Sequence, residues 1–318
     1  MKALQVNAEG VRLMNLPRPD RNGEALVRVI RSGICNTDLE IVRGYAGFTG
    51  TIGHEFVGVV ETADELPELV GRRVVGEINA GCGKCDLCIA GDARHCPDRT
   101  VLGIHGRDGA HAEFLNLPAR NLIAVPASVP DESAVFAEPL AAAYGMSERV
   151  DIAPDTNVAV IGDGKLGLLC AMTMALRSNS VKLIGKHSEK MAIVERRGVE
   201  GILATNTGKL GRHFDVVVEA SGSETGFASA LDLVKPRGKI VLKSTFHGST
   251  SLDASRIVVD EISIVGSRCG RLAPALELLA SKRVSVDDLI SDEFSLENGV
   301  AALEHAAKKG VLKVLLRP

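Results

Sequence analysis

Tryptophan is missing from the 318 residues, and all aromatics together make up only 3%. The core must therefore be built from Val, Leu, Ile and Ala. No charge of one sign dominates: 37 Lys and Arg face 40 Asp and Glu, a net charge of -3. That balance, with no basic run and no aromatic–basic interleaving, gives no case for nucleic acid or an anionic membrane as partner. No uninterrupted apolar stretch reaches membrane-spanning length. Met1-Lys2-Ala3-Leu4 lacks the apolar centre of a secretion signal, so the cytoplasm is the expected compartment. Internal repeats and low-complexity segments are also absent. What remains, 45% hydrophobic and 24% charged residues, is the composition of a globular chain long enough for two domains.

Cysteine is plentiful by contrast. There are seven, an odd number: Cys35, Cys82, Cys85, Cys88, Cys96, Cys170 and Cys269. Four of them form CxxCxxC followed, after seven residues, by Cys96. Two-residue gaps let a tight turn aim successive thiolates at one ion, and four thiolates close a tetrahedron with no open position. In a cytosolic chain, disulfides and an iron–sulfur cluster are the weaker readings. The stronger is a structural zinc holding a lobe with little core of its own. Cys170 and Cys269 read as packing residues.

A second signal is Gly162-Asp163-Gly164-Lys165-Leu166-Gly167. It follows the apolar run Val158 to Ile161 and opens a helical pattern from Leu166 to Arg177. A glycine-rich loop alone means little, but one between a strand and a helix fits a dinucleotide-binding turn. The first glycine permits the turn, the second admits a pyrophosphate to the helix N-terminus, and the third packs helix on strand. Strands at 181–184, 214–220, 239–242 and 262–266 alternate with helices at 189–197 and 225–234, the pattern of a parallel sheet covered on both faces. Helices at 273–281 and 297–309 and a strand at 311–316 close the chain. Earlier, strands are expected at 25–30 and 56–60, and 119–130 reads as irregular chain.

Single residues are more ambiguous. Cys35, His54 and Glu55 are plausible ligands for a borderline-soft metal. Each also reads blandly, as a buried thiol or a turn residue. Glu138, in Phe136-Ala137-Glu138-Pro139, is either a helix-start acid or a metal ligand whose burial a cation compensates.

Together, Gly33-Ile34-Cys35, Gly53-His54-Glu55, the four-cysteine lobe, Glu138-Pro139, the glycine turn and the strand from Phe214 to Gly222 resemble the medium-chain dehydrogenase/reductase superfamily, in its zinc-dependent alcohol and polyol dehydrogenase branch. The resemblance covers essentially the whole chain. It implies an α/β protein: a GroES-like, β-rich catalytic domain over 1–150 carrying the zinc lobe, a Rossmann doubly wound parallel sheet over 151–267, and a return to the catalytic domain over 268–318. The active site would lie between them. Cys35, His54 and Glu138 would bind a catalytic zinc, with Glu55 a possible fourth ligand, making two zinc ions per chain. Thr37 would pass the alcohol proton outward and Glu40 would be the next relay member. Asn36 would contact coenzyme phosphates or hold its turn.

The coenzyme site would use Gly162, Gly164, Lys165, Leu166 and Gly167, then Gly185, Lys186, His187 and Ser188, then Ala220, Ser221 and Gly222. Where an NAD-binding fold wants an acid for the ribose 2′-hydroxyl, this chain has Gly185-Lys186-His187-Ser188. Room, charge and donors there point to NADP rather than NAD. The expected reaction is hydride transfer between a secondary alcohol, polyol or sugar and NADP(H). Its alternatives are a dedicated biosynthetic dehydrogenase for one metabolite, or a nucleotide-sensing relative that has lost its catalytic zinc. The resemblance also implies a homodimer or homotetramer. His105, His111 and His247 lie in loops within reach of the site but are assigned no role.

Overall fold

The computed structural model describes residues 1–20, 22–244 and 253–318, so His247 lies outside the described residues. The chain forms two compact units, Met1–Glu138 with Leu272–Pro318, and Pro139–Arg271.

The first unit begins with strands β1 (Lys2–Asn7), β2 (Gly10–Asn15) and β3 (Ala25–Gly33), then helix α1 (Asn36–Val42). The short strand β4 (Gly50–Thr51), β5 (Glu55–Thr62) and β6 (Arg73–Gly76) follow. A small lobe then holds β7 (Asn79–Ala80), α2 (Asp86–Ile89) and β8 (Thr100–Val101). The chain continues through β9 (Phe114–Leu117), β10 (Leu122–Ala124), α3 (Asp131–Ala134) and the start of α4 (Ala137–Tyr144). β10 corrects the expectation of irregular chain: three residues too short to show a period pair antiparallel with β6.

The second unit is a six-stranded parallel sheet with helices between its strands. Its elements are β11 (Asn157–Ile161), α5 (Lys165–Ala175), β12 (Ser180–Gly185), α6 (Ser188–Glu195), β13 (Glu200–Leu203), β14 (Phe214–Glu219), α7 (Glu224–Leu233), β15 (Val234–Leu242), α8 (Ala254–Val259) and β16 (Ser263–Gly266). The strand order, β13-β12-β11-β14-β15-β16, reverses direction at β11. In such sheets ligands bind outside the carboxyl ends of the strands at that point. The strands nearest it are the most apolar: Val158, Ala159, Val160, Val217 and Val218 are fully buried.

The chain then returns to the first unit with α9 (Leu272–Ala280), β17 (Ile290–Ser295), α10 (Gly299–Ala306) and β18 (Lys313–Arg317). β18 pairs antiparallel with β3, Leu315 facing Gly33, in the sheet β10-β6-β5-β3-β18-β17. Val27, Phe56, Val74, Leu115 and Leu117 build one core of this unit, and Leu4, Ile34, Ile52, Leu303, Val314 and Leu316 the other. Neither cluster contains a tryptophan, as the composition requires.

Candidate functional site

In the first unit, three backbone elements converge where β3 ends. Cys35 immediately precedes α1, and its N–H donates to Asp38 Oδ2 at 2.7 Å, so the acid caps the helix that begins at the cysteine. His54 and Glu55 arrive from the adjacent strand, Gly33 facing Glu55 across β3 and β5. Gly53 has φ +98°, and a Cβ there would lie 2.5 Å from His111 Nδ1, so glycine is needed to bring His54 this close. The ligand atoms of Cys35, His54 and Glu55 all lie within 4.8 Å of one another.

Glu138, in the first turn of α4, is not a member of that group of three. Its carboxyl is nevertheless pushed up to about 7. Burial is the main cause, with Glu55 and Glu77 adding to it, while His54 and Lys313 oppose it. Such a carboxyl is only about half ionised at neutral pH, and a cation beside it would favour the charged form. Thr37 Oγ1 lies 3.9 Å from Cys35 Sγ. Asn36 is exposed. Glu40 is drawn outward, accepting from Arg43 at 2.7 Å on the surface of α1.

Three charged or polar supports lie behind the group, none of them expected from the sequence. Asp38 is fully buried, with His54 Nδ1 at 3.3 Å and His111 Nε2 at 3.5 Å. Burial raises its carboxyl, but the nearby His54 charge and the contacts from His111 and His54 outweigh this and hold it well below its usual range. Asp38 Oδ1 and His54 Nδ1 make no hydrogen bond, but the carboxylate lies on the Nδ1 side of the ring, so Nε2 is the nitrogen that faces away from it. His111 is itself anchored to Ser32 Oγ at 2.9 Å. Lys313 reaches in from β18 to ion-pair with Glu55 Oε2, both side chains buried, and sits 5.5 Å from the Phe136 ring centroid. Glu55 Oε1 has no hydrogen-bond partner. A half-buried thiol, an imidazole backed by a carboxylate, and an unpaired carboxylate oxygen form a donor set that suits zinc.

The small lobe brings its four sulfurs together as expected: Cys82, Cys85, Cys88 and Cys96 lie within 4.8 Å of one another. Cys85 caps α2, and the Cys82 N–H donates to Cys96 Sγ at 3.3 Å. The N–H groups of Lys84 and Cys85 push the Cys82 thiol down to about 6. The Cys88 N–H favours the Cys85 thiolate, but burial and the surrounding thiols push Cys85 up to about 11. Four thiolates share so small a volume only around a cation. Replacing Cys88 by Ser is expected to lower bound zinc from two ions per chain to one and to expose the lobe to proteolysis. Metal analysis and limited digestion would show it, and two retained zinc ions would refute the assignment.

In the second unit, the ends of β11, β12 and β14 gather around the glycine turn. Gly162 has φ +118°, and a Cβ there would sit 2.5 Å from the Ala220 carbonyl. A Cβ on Gly167 would lie 1.9 Å from the Gly162 carbonyl, so α5 packs against the turn only because position 167 is bare. Gly164 caps α5, with nothing within 4 Å of where its Cβ would be. The first N–H groups of α5, such as those of Leu166 and Gly167, point toward the helix N-terminus, where an anion is favoured. Ser221 N–H and Oγ both donate to Glu219 Oε1, at 2.8 and 2.5 Å, and Gly222 N–H donates to Ser244 Oγ.

β12 ends at Gly185, as expected, with Lys186 and Ser188 exposed and His187 half-buried. Unexpectedly, the Asp163 carboxylate closes over this end. Its Oδ2 accepts from Lys186 N–H at 2.6 Å, His187 N–H at 2.7 Å and His187 Nδ1 at 3.0 Å. Burial raises this carboxyl, and the His187 and Lys186 N–H groups and the His187 ring more than offset it, leaving it below its usual range.

Comparison with known proteins gives the same outline. Residues 21–127 match the alcohol dehydrogenase GroES-like domain, and residues 167–281 match the zinc-binding dehydrogenase family. The chain is similar to the sorbitol dehydrogenase of Halalkalibacterium halodurans, 30% identical across 95% of this chain and 93% of that one. Among solved structures it is similar to a Sinorhizobium meliloti 1021 protein bound to NADP, at TM-score 0.88 and 27% identity over 100% of this chain and 99% of that one. An Escherichia coli CFT073 alcohol dehydrogenase complexed with NADH superposes at TM-score 0.92 with 26% identity, over 100% and 99% of the two chains. Among the described residues no helix is long and apolar enough to cross a membrane.

Proposed function

The chain belongs to the zinc-dependent medium-chain dehydrogenase/reductases, and from that premise we propose that it is a cytoplasmic NADP(H)-dependent dehydrogenase of secondary alcohols, polyols or sugars. The observation that carries the reading is the group of half-buried Cys35 with buried His54 and Glu55, with Asp38 behind the histidine.

Cys35, His54 and Glu138 are the proposed ligands of the catalytic zinc, and Glu55 Oε1 is the oxygen placed to serve as a fourth. Bound there, zinc supplies Lewis acidity, which lowers the pKa of an alcohol and polarises a carbonyl. The chain does the rest. Asp38 backs the His54 ring on its Nδ1 side. Lys313 keeps one oxygen of Glu55 engaged, so that only the other is available to metal. Thr37, beside Cys35, receives the substrate hydroxyl proton. Glu40, tied to Arg43, is a weaker candidate for the next step outward. The N–H groups opening α5 bind the coenzyme pyrophosphate, and no acid at position 185 claims the ribose 2′ position, the Asp163 carboxylate filling the space a Cβ there would take.

The polyol reading is supported by similarity to a sorbitol dehydrogenase, and the coenzyme reading by a structural relative bound to NADP. A homodimer or homotetramer is part of the same proposal. Initial rates with NADP+ and NAD+ side by side, across polyols, aldoses and simple alcohols, test it. A polyol or aldose oxidised with NADP+ supports it. Inactivity toward all of them, in protein carrying two zinc ions, would favour a dedicated biosynthetic dehydrogenase, and protein with a single zinc would favour a nucleotide sensor.

A further inference from the structure

Asp163 occupies a variable position of the glycine turn, yet it is only 9% exposed and does more than fill space. A Cβ built on Gly185 would lie 2.7 Å from both Asp163 Cβ and Asp163 Oδ2. The two positions are therefore matched: an acid at the end of β12, where this fold ordinarily keeps its ribose ligand, is sterically excluded by the acid in the turn. The carboxylate that replaces it faces the loop. One oxygen, Oδ2, takes both loop N–H groups and His187 Nδ1.

Resting on the NADP(H) reading above, we propose that Asp163 is the positioning residue for coenzyme discrimination, orienting His187 and the backbone of Gly185-Lys186-His187 to receive the 2′-phosphate. The tautomer follows from the contact. Nδ1 carries the hydrogen that points at the carboxylate, so the remaining nitrogen, Nε2, is on the opposite edge of the ring. In the doubly protonated ring Nε2 is a charged donor suited to phosphate. The three donors on Oδ2 offset the carboxylate's own negative charge, which would otherwise repel the ligand. A 2′-hydroxyl gains little from this arrangement, so the pair separates the two coenzymes.

The test is a double-mutant cycle read by equilibrium binding of NADPH and NADH to the zinc-loaded protein, without turnover. Asp163→Asn keeps an oxygen for the loop N–H groups but removes the charge. It should weaken NADPH about tenfold, the size of one charge-assisted contact, and leave NADH within about twofold. His187→Gln should weaken NADPH similarly, and Asp163→Asn should add little in that background, because one acts through the other. Equal weakening of both coenzymes, tighter NADPH binding, or fully additive effects would each overturn the proposal. Should Asp163→Asn fail to fold, His187→Gln alone decides it, through a selective loss of NADPH or its absence. Unmodified protein that holds NADH more tightly than NADPH overturns the coenzyme reading and the proposal with it. An NADPH preference that Asp163→Asn leaves intact overturns the proposal alone.

Discussion

Replacing Lys313 by Met should destabilise the first unit by about 3–5 kcal/mol, the cost of removing one partner from a buried ion pair. Lys313 is 1% exposed and Glu55 is fully buried. Burial works against the lysine charge, but Glu55, Cys35 and Asp38 around it more than compensate, so the ammonium is held above its ordinary range. Met has nearly the volume of the lysine stem, and its loss of charge leaves the Glu55 carboxylate uncompensated. The damage therefore comes from charge rather than from a cavity. Glu55→Gln combined with Lys313→Met should recover most of the stability, because neither partner then carries a charge. Urea unfolding of the two variants, with zinc at fixed concentration, separates the explanations. A Lys313→Met protein as stable as the parent would show that the pair is not what keeps Glu55 in place. A double variant no better than the single would assign the loss to packing.

Replacing Cys35 by Ser is expected to remove one of two zinc ions per chain and to lower kcat/KM by about a thousandfold or more. The thiolate is the soft anionic donor of the group, and a hydroxyl at that position is a far poorer ligand. Lewis-acid stabilisation of developing charge contributes several kcal/mol, and each 1.36 kcal/mol is tenfold in rate. NADPH affinity should stay within about twofold, because the proposed coenzyme residues lie in the other unit, Pro139–Arg271. Metal analysis, steady-state kinetics and coenzyme titration on one preparation give all three numbers. A variant with one zinc and a third of the parent's activity would remove Cys35 from the chemistry.

The motifs that were legible in the sequence are those whose geometry is local. Four cysteines within fifteen residues, or three glycines within six, carry their own spatial arrangement, and the structure assembles both. The β11 and β14 strands were readable for the same reason: buried parallel strands are nearly unbroken Val, Ile and Ala. The edge strands β13 and β17 were not. β13 (Glu-Gly-Ile-Leu) and β17 (Ile-Ser-Asp-Glu-Phe-Ser) are partly exposed and mix polar with apolar residues without a clean alternation. The supports of the candidate site were illegible for a different reason. Lys313 lies 258 residues from Glu55 and His111 lies 79 from Ser32, and no local pattern announces such partners. Asp38 was hidden by its role as an ordinary helix-capping acid. Asp163 lies inside the glycine motif at a position where any residue is allowed, and only the fold brings Gly185 against it.

The lysine that balances Glu55 enters on β18, far down the chain from β3 and β5, and this sets an order of events during synthesis. Residues 139–271 form a continuous unit that can fold as it leaves the ribosome. The first unit cannot finish so early. When β3 and β5 have already emerged, Glu55 lacks the Lys313 counter-charge and the edge of β3 that will take β18 is bare, and both conditions persist until residues 313–317 have been made. Closing that gap spans nearly the whole chain, the kind of long-range pairing that slows folding. For this interval the nascent protein carries a finished nucleotide fold beside an open sheet with an unpaired acid, and it is then that chaperones, or free zinc, have most to act upon.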